Sequence, residues 1–150
     1  MATKAIIAAL IDAYWSEIET VQNYIANATN LDGVRAEAIK NSLAADITEE
    51  LGHAQQLARR IKVLGGKVPG SMAFKATQKY LQPPKDSTDV IGVIKGVIAA
   101  EEDAIKGYNK LVKLCDGKDY VTQDLCITLL ADEEEHRQQF RGFLREYAKA

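Results

Sequence analysis

Both histidines of the chain belong to Glu-x-x-His units, Glu50-Leu51-Gly52-His53 and Glu133-Glu134-Glu135-His136. Each unit interrupts an apolar stripe with helical spacing. Around the second, Leu125, Cys126, Leu129, Phe140, Phe143, Leu144 and Tyr147 recur at steps of three and four, on the side that carries Glu133 and His136. Around the first, the stripe is Ile39, Leu43, Asp46, Ile47, Leu57, Ile61 and Leu64. Carboxylates and imidazoles on faces that must be buried have to be paired, protonated or bound to metal, because an isolated buried charge is too costly. Whatever the fold, it has to bring these polar groups to one another.

The rest of the chain supplies two more such stripes. Ile7, Leu10, Ile11, Tyr14, Glu17, Ile18, Val21, Tyr24, Ile25 and Ala28 predict a first helix that ends at the turn residues Asn30-Leu31-Asp32-Gly33. The second helix is expected from about Val34 to Leu64, closed by Gly65-Gly66. A third runs from about Thr88 to Cys115 on Ile94, Val97, Ile98, Glu101, Ile105, Tyr108 and Val112. After the turn Asp116-Gly117-Lys118, Asp119 can cap a fourth that continues almost to Ala150. Strand-like alternation is absent, so the fold class is all-α, a four-helix bundle in one domain spanning 1–150. Residues 65–87 hold all three prolines and one short helix expected over Ser71 to Leu81. Links in an up-down bundle need only about 2–8 residues. This connection is long enough to cross back along the bundle and set the third helix parallel to the second.

The chain also repeats itself. Glu17, Tyr24, Glu50 and His53 recur as Glu101, Tyr108, Glu133 and His136, with Glu-to-Glu separations of 33 and 32 residues. At about 1.5 Å per residue both acids of the second hairpin reach the same height above its turn. Four Glu and two His at one level match the carboxylate-bridged dimetal site of helix bundles, where two helices give one Glu each and two give Glu-x-x-His. Two divalent ions about 3.5–4 Å apart repel, and bridging carboxylates neutralise them while holding the spacing. Glu50 and Glu133 are read as bridges, Glu17 and Glu101 as terminal ligands, and His53 and His136 as one nitrogen ligand each. Taken singly, each acid has a plainer explanation as an ion-pair partner of Arg59, Arg60 or Arg137. Glu49, Glu102, Glu134 and Glu135 fall off the stripes and read as a solvated face. Tyr24 and Tyr108 read either as hydrogen-bond donors to the site or electron sources, or as core aromatics.

On Glu50-Leu51-Gly52-His53-Ala54, and on Asp119-Tyr120-Val121 through Asp132-Glu133-Glu134-Glu135-His136, the chain resembles the ferritin-like superfamily, and within it bacterioferritins and bacterioferritin-related Dps-like proteins. The resemblance covers all four helices. It implies a ferroxidase holding two iron ions per subunit, in which O2 or H2O2 oxidises Fe(II) and ferric mineral is stored inside a homo-oligomeric shell. Leu51 stands where bacterioferritins carry a haem-ligating Met, which implies no haem. No residues remain for the fifth helix of 24-subunit ferritins, so a dodecameric shell is favoured over a 24-mer, with Met72, Phe74, Tyr80 and Leu81 either facing a neighbour or packing back on their own bundle. Ala104 stands where rubrerythrin-type peroxidases place a further Glu. The alternative is a discrete di-iron oxidase or peroxidase of the erythrin type that stores nothing; a third reading is a helical assembly protein with a vestigial or zinc site.

Charge and composition exclude other classes. With 19 basic against 21 acidic residues and no basic patch, the chain is not expected to bind nucleic acid. The apolar run from Ala5 to Ile11 lacks a cleavage site and continues as a helix, and nothing reaches the length of a membrane span, so no membrane partner is expected. Two cysteines, Cys115 and Cys126, do not make a disulfide framework; they are expected to be free thiols in a cytoplasmic protein.

Overall fold

A computed structural model describes residues 2–149. Four long helices carry the fold: α1 (Ala2–Asn30), α2 (Glu37–Val63), α3 (Val90–Cys115) and α4 (Tyr120–Tyr147). The architecture is all-α, a four-helix bundle with a ferritin-like fold and a long loop between α2 and α3. The second helix starts later than its stripe suggested, because Val34–Ala36 form a separate 3₁₀ turn. Asp89 and Asp119 cap α3 and α4, their side chains accepting from the backbone N–H of Gly92 and Thr122. Gly117, at φ 70°, makes the tight α3–α4 turn that a side chain would strain.

Tyr24 and Glu17 of α1 meet Glu101 and Tyr108 of α3, so position rises along one helix as it falls along the other. The first helix is therefore antiparallel to α3 as well as to its hairpin partner α2, and α2 and α3 run parallel. The long crossover permits this arrangement.

Two apolar clusters fill the bundle. One contains Leu31, Ile39, Leu43, Ile94, Val97 and Phe140; the other contains Ile6, Leu10, Leu57, Ile61, Leu111 and Leu129. Most stripe residues are buried, but Ile25 is exposed at 49%. In its place α1 buries a polar flank of Glu19, Thr20, Asn23 and Asn27.

That flank receives the crossover. The helix expected over Ser71 to Leu81 does not form; single 3₁₀ turns at Ser71–Ala73 and Lys79–Leu81 replace it. Glu19 accepts from the backbone N–H of Thr77 and Gln78, Gln78 bonds Thr20 and Asn23, and Asn27 donates to the Leu81 carbonyl. Leu81 is buried, Phe74 packs 5.2 Å from Trp15, and at Gly96 an added Cβ would stand 2.6 Å from the Tyr80 carbonyl oxygen. Of the two expectations for this segment, packing on its own bundle holds for Phe74 and Leu81. Met72 stays exposed.

Candidate metal centre

All six residues singled out from the sequence come together between the two apolar clusters, none more than 5% exposed. Single ligand atoms of Glu17, Glu50, His53 and Glu133 lie within 4.8 Å of one another, and so do those of Glu50, Glu101, Glu133 and His136. The two groups share Glu50 and Glu133. Each histidine turns Nδ1 toward the Glu of the opposite unit: His53 lies 2.9 Å from Glu133, and His136 lies 3.1 Å from Glu50. His53 Nδ1 also lies 3.6 Å from both Glu17 and Glu50, and His136 Nδ1 lies 3.8 Å from Glu101.

The far nitrogens find further carboxylates, two of them off the stripes. His53 Nε2 lies 2.9 Å from Asp132, and His136 Nε2 lies 2.6 Å from Glu49 and 3.6 Å from Asp46. Glu49 is half-exposed on the solvated face expected for it, and from there it also reaches His136. One signal was present in the sequence. Glu49 and Asp132 each stand immediately before the Glu of a Glu-x-x-His unit, so they belong to the same repeat. With Nε2–H donating to a carboxylate, Nδ1 faces the centre, and on losing its proton it would turn its lone pair to a cation there, the arrangement that orients metal-binding imidazoles.

Tyr24 and Tyr108 are donors as well as core aromatics. Tyr24 donates to Glu101 at 2.5 Å and Tyr108 to Glu17 at 2.8 Å, each reaching across to the acid of the other hairpin. Burial, followed by the neighbouring carboxylates, pushes both phenols well above their ordinary range, so they remain protonated donors. Arg60 bonds Asp119 and Thr122 instead of the acids of the centre.

The electrostatics are those of a site built for cations. Glu17 Oε2, Glu101 Oε2, Glu133 Oε1 and His53 Nδ1 are buried without a hydrogen-bond partner. His53 and Glu133 approach without the alignment of a hydrogen bond, both aimed at common space. Such orphaned atoms are costly unless a proton or cation lies between them. Burial raises Glu50 and Glu101 well above the carboxylate range, and Glu133 to about 8, reinforced in each case by a neighbouring carboxylate. Glu17 is held below its ordinary value: burial opposes this, but the adjacent Glu50 and His53 and the hydroxyl that Tyr108 donates to it prevail. Burial also works against a charged His53, and the facing Glu133, Glu17 and Glu50 overcome it and hold the imidazolium. Without metal, the centre balances its charge with its own protons. The donor set, carboxylates plus one imidazole nitrogen for each of two positions, fits two divalent ions of the iron type.

A ferritin-like domain model matches residues 7–150. The chain belongs to the ferritin-like family. A DNA protection during starvation protein of Pyrococcus furiosus is 30% identical over 90% of this chain and 74% of its own length. A bacterial ferritin of Neisseria meningitidis is 34% identical over 67% of this chain, and the match spans 60% of that relative. Among solved structures, a dodecameric thioferritin, the bacterioferritin-related protein of Bacteroides fragilis, superposes with TM-score 0.83 at 26% identity, covering 98% of this chain and 88% of that one. This ferritin-like bundle thus carries a buried carboxylate and histidine cluster of the di-iron kind. Among the described residues, no helix is long and apolar enough to cross a membrane.

Proposed function

We propose that the protein is a ferroxidase that takes up Fe(II) at this centre, oxidises it with O2 or H2O2, and stores the ferric product within a homo-oligomeric shell in the cytoplasm. The observation that carries the reading is the pair of four-ligand groups sharing Glu50 and Glu133. There Glu50 and Glu133 would be shared by two cations, with Glu17 and His53 holding one and Glu101 and His136 the other. No haem is involved, since Leu51 offers no lone pair at the position flanking Glu50.

The chain's own groups have three tasks. The carboxyls and imidazoles release their protons as the cations arrive, so the buried charge stays balanced. Asp132 and Glu49 hold the imidazoles in the tautomer that presents Nδ1. Tyr24 and Tyr108 fix the terminal carboxylates by hydrogen bonding. Fe(II) is the electron source. With H2O2, two Fe(II) give one electron each, two protons are consumed, and two waters form; with O2, the same two electrons and two protons give H2O2.

Aerobic Fe(II) titration with simultaneous measurement of particle mass tests the reading. Rapid oxidation of two Fe(II) per chain, followed by retention of many more in the same particle, is expected. Oxidation with no iron retained beyond two per chain would select the non-storing oxidase, and no oxidation at all would remove both.

A further inference from the structure

The centre is approached from two sides that differ in chemistry. On the α2–α4 side the gap is crossed by the carboxylate and histidine pairs, with Asp46, Glu49 and Asp132 presented outward of the imidazoles. On the α1–α3 side lies a groove of about 870 Å³ whose lining includes Glu17 and Tyr108. Its walls are small: Ala9 and Ala13 on α1, Ala104 and Gly107 on α3. Lys110, Lys113 and Lys118 also line it, against Asp12 and Asp103, and Asp103 is engaged by the Tyr80 hydroxyl. Glu17 is 1% exposed and keeps an unpartnered carboxylate oxygen. The groove therefore leads to a ligand of the centre.

We infer that the α1–α3 groove admits the small uncharged O–O oxidant to the centre, by a path separate from the acidic α2–α4 side that receives the divalent cation. This rests on the ferroxidase reading above. The three lysines of the groove are balanced by Asp12, Asp103 and Glu17, so it offers a doubly charged ion no net attraction, whereas the negative α2–α4 side draws it in. Dioxygen and peroxide carry no charge, so the lysines do not hinder them, and the small side chains leave them room beside Glu17 and Tyr108.

Gly107 offers the cleanest test. A Cβ built there meets nothing within 4 Å, and replacing a helical glycine favours the helix, so Gly107→Leu narrows the groove without endangering the fold. Ala104→Phe is the second variant. In the intact full-length protein, anaerobic Co(II) association is followed by its absorption, and oxidation is followed at saturating Fe(II) with O2 or H2O2 varied in separate arms. Both variants should take up two Co(II) per chain at the wild-type rate, while the apparent KM for the oxidant rises about tenfold. A rise in one arm alone still supports the path and names the oxidant that uses it. Unchanged KM in both arms, or Co(II) association slowed as much as oxidation, overturns the separate path. Failure of the wild-type protein to take up Co(II) would instead overturn the metal-centre reading itself.

Discussion

A histidine can offer a metal only the nitrogen that is not carrying its proton, and at this centre one carboxylate per imidazole settles which nitrogen that is. Asp132→Asn replaces an obligate acceptor by an amide that can present N–H to His53 Nε2 and so favour the other tautomer. Co(II) affinity should fall about 10–100-fold with the fold retained, as outer partners of metal ligands usually cost when lost; wild-type affinity by anaerobic titration would discount Asp132. The raised carboxyls make a second expectation. Glu133 titrates near 8 in the folded chain against an ordinary 4.5, so between those values the folded metal-free protein holds a proton that the unfolded chain has released. That contribution to stability is fully present below about pH 4.5 and is lost as pH rises through about 8. The raised His53 and His136 act with the same sign, whereas the lowered Glu17 contributes stability that is lost at acid pH. Chelator-treated protein should therefore melt roughly 5 °C lower at pH 9 than at pH 6, while Co(II) affinity rises over the same interval; a melting temperature that holds or climbs would contradict the proton balance. Glu133→Gln, which removes one acid while keeping its volume, should leave the metal-free protein at least as stable at pH 9 and abolish rapid Fe(II) oxidation, and wild-type rates would take Glu133 out of the mechanism.

Among the elements, the crossover is held by polar contacts where the helices are held by apolar ones, and this sets how much of each was legible. The four helices could be read because each buries a continuous stripe, and Glu17, Glu50, His53, Glu101, Glu133 and His136 stood out by interrupting those stripes. Asp132 and Glu49 escaped because they sit on the flank and reach round to the histidine of the opposite helix. The fold of residues 71–81 escaped for a related reason: Glu19, Thr20, Asn23 and Asn27 carry no hydrophobic signal, so nothing in the pattern of α1 announced a second buried flank. Its docking onto that flank can be tested. Glu19→Ala strips the acceptor from the Thr77 and Gln78 N–H groups, one of them buried, at an expected cost of roughly 2–4 kcal/mol. Urea unfolding should register that loss, and hydrogen exchange at these two amides should accelerate while amides within α4 change less. Met72→Ser, at a fully exposed site, should do neither; an unaffected Glu19→Ala protein would mean that the crossover is held by Phe74 and Leu81 alone.

For the whole molecule, the carboxylate and histidine cluster forms within one chain, so the proposed metal binding would not demand assembly; enclosing a mineral would. Phe74 and Leu81 are committed to their own bundle, which leaves Met72 and Tyr80 as the exposed part of the face that the crossover's sequence suggested. On the helices the exposed large apolar side chains are Ile25 on α1, Leu51 and Val63 on α2, and Tyr120, Val121 and Ile127 on α4, between 43% and 72% accessible. These side chains project from rigid helices, and burying them between copies would remove apolar surface from water without disturbing the centre. Closed symmetry is the usual outcome when one such surface meets its own copy. A dodecamer exists in the bacterioferritin-related thioferritin that this chain superposes on over 98% of its length. The proposed shell, if built of twelve copies of a 16.5 kDa chain, would read about 200 kDa by light scattering at low protein concentration. Leu51→Glu should shift that mass downward while leaving two Co(II) bound per chain, because the residue flanks Glu50 yet points away from it. A wild-type monomer or dimer would remove the shell, and with it the storage role, and a mass near twice the expected one would replace the twelve-subunit shell with the larger one.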